Sequence, residues 1–333
     1  MDSPLWIDKY APEGEDFSQR ELRFNLSKFQ KMPINFLLYG PEGSGKSSAA
    51  RIIAKGPDEE GQDLVEFNIS DLFNSSKKEI VENPLFSGFI SSGKTPSGSK
   101  ESLVIHLIKE SASYPSISGG KKIMMLDNFE SAQRSFQQAL RRIIEQYHRN
   151  TQFILTTRQL WKVIPAIRSR CYPISVRSPA DTDMKKILVR ILDAEEIEFT
   201  DEAVDYIVAN SSGNLRSAIV HAQAVSEGMG EVTYEGVVEI IQDMGINDPI
   251  IEMIDCSLDG KIIDARSILE KLIITSGYTG GEILEIVGEV VRNRDDIDQT
   301  KFALVIGEVD FDLANESNSV IHLTKFLTKF GSL

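Results

Sequence analysis

The octapeptide GPEGSGKS, Gly40 to Ser47, limits what this chain can fold into more than any other stretch. It fits the spacing G-x-x-x-x-G-K-[ST] and lies between a short apolar run, INFLLY, and the amphipathic SSAARIIAK. Such a loop works as the turn from a buried strand into a helix. Its glycines let the backbone curl until several N–H groups converge on an anion, and the positive end of the following helix faces the same point. The pattern predicts a phosphate cradle made by Gly40, Pro41, Glu42, Gly43, Ser44, Gly45, Lys46, Ser47 and Ser48. Lys46 is expected to reach the β- and γ-phosphates, and the Ser47 hydroxyl to bind Mg²⁺. Chance produces this spacing in roughly one chain in a hundred of this length, so ATP with Mg²⁺ is the expected ligand.

Around the loop, short apolar runs alternate with longer amphipathic stretches. INFLLY, LVEFN, KIMML and QFILTT read as buried strands, and YPISV as a fifth that Pro173 places at a sheet edge or a strand start. Between them, SAQRSFQQALRRIIEQY puts Phe136, Leu140, Ile143, Ile144 and Tyr147 on one helical face. This alternation predicts an α/β domain over residues 1–178, with a parallel sheet covered on both sides. The interval FSGFISSGKTPSGSKES reads as a surface loop, either a solvated insertion or a basic segment that touches DNA. After Pro179 the strand signal ends. Four short helices are expected over 179–244, with Thr200 and Thr233 as N-caps and Gly213 and Gly228 as stops. A second all-helical block follows over 245–333.

Composition excludes several classes. A net charge of −14 argues against a protein that coats nucleic acid with its whole surface, although a local basic face needs only a few residues. No apolar run approaches the ~18 residues of a membrane span, and the N-terminus lacks the layout of a secretion signal. Cys171 and Cys256 offer no disulfide framework. A cytoplasmic setting is expected, or a nuclear one if the source is eukaryotic. His106, His148, His221 and His322 are scattered and read as packing or surface residues.

The stretch KKIMMLDNFESAQ raises a question about chemistry. Asp127 ends an apolar strand and is expected to hold the Mg²⁺ water shell beside Ser47. In ATP-hydrolysing sites of this type an acid usually follows, to orient the attacking water. Here the next residue is Asn128.

Further motifs narrow the class. Ser169-Arg170-Cys171 after IPAIR resembles the SRC motif of AAA+ clamp loaders, and SFQQALRRIIEQYHRNTQFIL is similar to the stretch before it in replication factor C small subunits. PLWIDKYAPE resembles that family's N-terminal signature, EFNISD its second-strand motif, GNLRSAI its sensor-2 helix, and FDLANESNSVIHL its last collar segment. The likeness fails mainly between Leu72 and Gly119, which reads as an insertion. It implies a RecA-like ATPase domain, a helical lid and a collar that assembles a hetero-oligomer, a pentamer in this family. Other clamp-loader subunits, a sliding clamp and primer–template DNA are the implied partners. ATP would lie between neighbours, with Arg170 acting in trans as an arginine finger. Arg216 would reach from the lid to the phosphates, Lys9 and Tyr10 would border the adenine, and Asn68 would sit near the attacking water. Arg141, Arg142, Lys77, Lys78, Lys94 and Lys100 are open as DNA contacts.

Two departures stand out. Asn128 replaces the family's catalytic glutamate; an amide can hydrogen-bond water but cannot take its proton. Arg158 falls where a sensor-1 asparagine is usual, free either to clamp the γ-phosphate or to swing to solvent. Glu130 aligns with the last acid of the box and is expected to point elsewhere. The expectation is a clamp-loader subunit that binds ATP and hydrolyses it weakly. A non-catalytic ATP-bound scaffold and an autonomous AAA+ motor are the alternatives.

Overall fold

A computed structural model describes residues 5–12, 17, 19–55, 64–83, 98–114, 122–244, 247–274, 278–292, 294, 297–315 and 319–331. The chain divides into two compact units, Met1–Val237 and Val238–Leu333. The first is built on five parallel strands: β1 Phe36–Tyr39, β2 Leu64–Asn68, β3 Lys122–Asp127, β4 Thr151–Thr157 and β5 Tyr172–Ser175. Their order is β2-β3-β4-β1-β5, and all five runs read as strands from the sequence are present.

Alternate residues of these strands face opposite sides, and both sides are dry. Leu37, Met124, Leu126, Phe153 and Leu155 pack with Phe136, Leu140, Ile143 and Ile144 of the helix Arg134–Tyr147. Their strand neighbours Phe36, Leu38, Ile123, Met125 and Ile154 pack with Ala49, Ala50 and Ile53 of the helix Lys46–Lys55. The edge strands β2 and β5 are the more exposed ones, and Pro173, which has no N–H to donate, sits on β5. Because β4 lies between β3 and β1, the carboxyl ends of these three strands are neighbours. Ligands of open α/β sheets bind in the crevice outside such ends.

The helix Arg134–Tyr147 starts later than its periodicity suggests, since Phe129–Ser131 form a separate 3-10 turn. Its buried Gln137 ties three segments together. The side-chain amide donates to the carbonyls of Ala132 and Lys162, both at 2.9 Å, and its oxygen accepts the Ile164 N–H at 2.8 Å. The loop after β3 is thereby fastened to the loop after β4.

The loop expected over 86–102 gives way to helix at its C-terminal end. Residues 86–97, including Lys94, lie outside the described residues, but a helix begins at Lys100, capped by Ser99, and runs to Ser113. It buries Leu103, Val104, Leu107 and Ile108 in the sheet core. The Lys100 ammonium donates to the carbonyls of Phe73 and Ser75 and that of Lys77 to Gly98. Both ammonium groups thus tie together segments of their own backbone. Lys78 faces Glu82.

Beyond the sheet come the helices Asp181–Ala194, Asp201–Asn210, Leu215–Met229 and Tyr234–Met244. Thr200 caps the second by accepting the Ala203 N–H, and Thr233 caps the fourth through Gly236. Gly213, at φ +78°, follows the second helix as expected. Gly228 does not stop the third. That helix continues through it to Met229 and closes at Gly230, φ +80°, whose N–H reaches the Ser226 carbonyl. The fully buried Val225 holds its last turn in the core.

The second unit is all helix: Asn247–Leu258, Ile262–Ile274, Gly280–Arg292, Gln299–Asn315 and Ser319–Phe330. Its core joins Ile254, Leu269, Val287 and a cluster of Phe302, Phe326 and Phe330. Among the described residues no helix is long and apolar enough to cross a membrane.

Replacing Gln137 by Met keeps the side chain's length but strands two carbonyls and an N–H. Gln137→Met is expected to cost about 2–4 kcal/mol of stability. Gln146→Met, on the exposed side of the same helix, should stay within about 0.5 kcal/mol. Urea unfolding measures both, and equal losses would rule out the cross-brace.

Candidate nucleotide-binding site

The cradle forms where β1 turns into the helix Lys46–Lys55. Gly43 takes φ +66°, and a Cβ there would stand 1.8 Å from the Asn214 side-chain oxygen. At Gly40 a Cβ would stand 1.8 Å from the Val176 carbonyl oxygen. Glycine is required at both positions by close approach of another segment. Pro41, Ser44 and Lys46 hold the loop from within: the Pro41 carbonyl accepts from Ser44 Oγ at 2.8 Å and from Lys46 Nζ at 2.6 Å. Burial lowers the pKa of Lys46, while Glu130, Asp127 and Glu42 oppose the shift. A cation so placed, on a backbone carbonyl inside the loop, gains a better partner when a phosphate arrives.

Asp127 sits at the end of β3 and gathers two hydroxyls. Ser47 Oγ donates to its carboxylate at 2.9 and 3.0 Å, and Thr156 Oγ1 donates from β4. This oxygen-only set fits a hard divalent cation such as Mg²⁺. No cluster of three or more His, Cys, Asp or Glu suited to a metal occurs among the described residues, so a cation here would lean on phosphate oxygens and water. Next to it, Asn128 adopts a left-handed conformation, φ 53° and ψ 47°, which asparagine tolerates better than most side chains. Its N–H donates to Thr156 Oγ1, and its amide donates to Asn68 Oδ1 at 3.2 Å. Asn68 in turn caps the helix Ile69–Asn74, accepting the N–H groups of Ser70 and Asp71. Asn68 is therefore one bond behind Asn128.

Arg158 neither stands alone nor swings free. Its Nε donates to Glu130 at 2.8 Å and its Nη1 to Glu42 at 2.7 Å. Glu130 is buried and is not among the residues that line the cavity. Burial pushes its carboxyl pKa up, but hydrogen bonds from Arg158, its own backbone and Thr157 together hold it below the usual carboxylate range.

These groups line one cavity. Glu42, Gly43, Gly45, Lys46, Ser47 and Ser48 form its floor, with Asp127, Asn128 and Arg158 at the strand ends. Tyr10 and Arg216 complete it from the N-terminal segment and the helix Leu215–Met229. Lys9 is not in the wall; its ammonium meets Glu195 at 2.7 Å, and Tyr10 donates to the same carboxylate at 2.6 Å. Lys9 thus braces Tyr10 from behind. Buried Trp6, whose N–H reaches Gln223, anchors the segment on the same helix as Arg216. Sequence reasoning missed Ile7, Pro12, Ser70, Ser131, Ile187, Arg190, Leu215 and Ile219, which also line the cavity. The i,i+3 pair Ile187/Arg190 and the i,i+4 pair Leu215/Ile219 were visible as helix faces, but periodicity does not say which face meets the loop.

Arg170 lies outside this cavity. It is exposed, donates from Nε to Glu145 at 2.9 Å and from Nη1 to the Ala166 carbonyl at 2.7 Å. Its neighbour Cys171 is inert packing, with burial pushing the thiol pKa up to about 12.

Comparison with known proteins agrees with this geometry. The model of the ATPase family associated with various cellular activities (AAA) matches residues 36–178, and that of the replication factor C C-terminal domain matches residues 247–329. A replication factor C small subunit from Methanococcus maripaludis is 31% identical, covering 98% of this chain and 98% of its own length. One from Sulfolobus acidocaldarius is 30% identical over 98% of this chain and 95% of its own. The structure of the Aeropyrum pernix ORC1 protein in complex with DNA shares the fold, with a TM-score of 0.54 and 17% identity over 94% of this chain and 85% of that one. With the nucleotide cradle built and relatives aligned end to end, this chain belongs to the replication factor C small-subunit family, the AAA+ ATPase subunits of clamp loaders.

Proposed function

We propose that this chain is an ATP-binding subunit of a clamp-loader complex that opens a sliding clamp and places it on primer–template DNA. In this reading its own site hydrolyses ATP weakly, and Arg170 serves a neighbouring subunit. Residues 1–178 are the ATPase domain, 179–244 the lid and 245–333 the collar through which subunits assemble. The observation that carries the reading is Asn128: a neutral amide bonded to Asn68, at the edge of an otherwise complete phosphate and metal site.

Bound Mg²⁺–ATP supplies the transferable phosphoryl group and much of its charge neutralisation. The chain's residues do the rest. Lys46 leaves the Pro41 carbonyl for the phosphates, Ser47 and Asp127 face the cation, and Arg216 reaches in from the lid. No carboxylate stands at position 128 to take a proton from water, so a contribution of roughly 10²–10⁴-fold is missing. ATP then acts mainly by holding the lid against the cradle, where Gly43 already meets Asn214.

Arg170 is suited to the opposite task. Its pairing with Glu145 is solvent-exposed, the kind worth about 0–1 kcal/mol. Exchanging that partner for a neighbour's γ-phosphate costs little, and a cation there can raise hydrolysis by about 10³ to 10⁵-fold. On the DNA side, Arg142 is exposed and Arg141 half-buried on the helix Arg134–Tyr147, which leaves Arg142 the better candidate for a backbone contact.

Asn128→Glu is expected to raise ATP turnover at least about tenfold in a reconstituted complex with clamp and primed DNA. The full 10²–10⁴ is reduced because a non-asparagine side chain in this left-handed position costs about 1–2 kcal/mol. Brisk hydrolysis by the isolated wild-type chain would contradict the reading.

Arg170→Ala should lower hydrolysis by the complex while this subunit's own ATP affinity, measured by titration of the isolated chain, holds. The reverse pattern, weaker binding with full complex activity, would place the residue at its own site.

A further inference from the structure

The third position of the cradle admits many side chains, and here it carries a carboxylate, Glu42. A negative charge on the rim of a site built for a polyanion opposes binding unless a cation neutralises it. Among the described residues the partner of Glu42 is Arg158, the same residue that replaces the family's sensor-1 asparagine. Glu42 and Arg158, 116 positions apart in the chain, therefore meet in one ion pair.

The two carboxylates on this guanidinium are unequal. Glu130, with 4% of its side chain exposed, takes both the Nε and the backbone N–H of Arg158 and fixes the base of the group. Glu42 is 59% exposed and holds only Nη1. The first contact is an anchor. The second is screened by water and weak. Nη2 has no hydrogen-bond partner among the described residues, and Arg158 and Glu42 both line the cavity. One end of the guanidinium is thus fixed while the other is loosely engaged by a carboxylate that a phosphate can replace.

We propose that Glu42 is a release residue, competing with the terminal phosphate of ATP for Arg158 so that intact ATP can leave the site. The inference rests on reading the cavity as a triphosphate site whose Asn128 leaves it short of a base. A subunit that splits its nucleotide slowly needs another way to let go. When Arg158 turns its Nη groups to a γ-phosphate, Glu42 loses its partner and faces the same anion uncompensated. When Arg158 returns to Glu42, both charges are again paired. A diphosphate lacks the γ-phosphate that would draw Arg158 away, so Glu42 discriminates by the third phosphate. Glu42 acts here through Arg158 and is a positioning residue.

The test is dissociation of N-methylanthraniloyl-ATP and N-methylanthraniloyl-ADP from the full-length chain with Mg²⁺, followed by displacement in stopped flow. Glu42→Gln, isosteric and on the rim, should lengthen the residence of the ATP analogue relative to the ADP analogue by about threefold to fivefold, the range an exposed ion pair provides. In an Arg158→Ala background the same substitution should leave that ratio unmoved. Equal slowing of both nucleotides would reduce Glu42 to a general rim charge and overturn the proposal, as would an effect that survives without Arg158. A wild-type chain that binds neither analogue would defeat the reading of the site itself, whereas normal binding with no effect of Glu42→Gln defeats the release role alone.

Discussion

The Asp127 carboxylate, held between the hydroxyls of Ser47 and Thr156, is the contact around which the first unit is organised. It joins the loop after β1, the end of β3 and the end of β4, three segments widely separated in the chain. The sheet order makes this possible: β4 lies between β1 and β3, so their carboxyl ends come together. The two faces of the sheet, each packed with alternate apolar residues, keep those ends in register. Without that scaffold the cradle would be a glycine-rich loop with no fixed partner for its cation.

Around this contact the charges are arranged in opposed pairs. Lys46 rests on a carbonyl, Arg158 lies between Glu130 and Glu42, and Arg170 rests on Glu145. Each of these cations rests on a local acceptor of its own chain. The acidic net charge of the chain is compatible with such a site, since the basic groups are local and held by their own carboxylates. Asn128 breaks the pattern as a neutral group where a charged one would do chemistry, bonded to Asn68 and through it to the helix Ile69–Asn74.

The helices after the sheet contribute walls more than chemistry. Asn214 presses on Gly43, Arg216 and Ile219 line the cavity, and the N-terminal segment is anchored on the same helix through Trp6 and Gln223. Lys9, Tyr10 and Glu195 form a second fastening of that segment. The cradle, the helices Asp181–Ala194 and Leu215–Met229 and the N-terminal segment thus line one cavity inside one compact unit. The cavity's shape depends on how these helices pack as much as on the loop.

Read by itself, the sequence determined the cradle loop, the five strands and the position of Asp127 at a strand's end. These rest on local rules: glycine placement, runs of apolar residues and a polar residue at a strand's end. Thr200 as a cap is local in the same way. Gly228 was read as a stop by the same kind of rule, but the helix runs through it and closes at Gly230. The pairing of Glu42 with Arg158, the bracing role of Lys9, the engagement of Lys77 and Lys100 with backbone carbonyls, and the helix faces that wall the cavity were decided only by tertiary structure. Each depends on which segments the sheet order and core packing bring within hydrogen-bond range, and that range of a few ångströms is set by contacts spread over the whole unit.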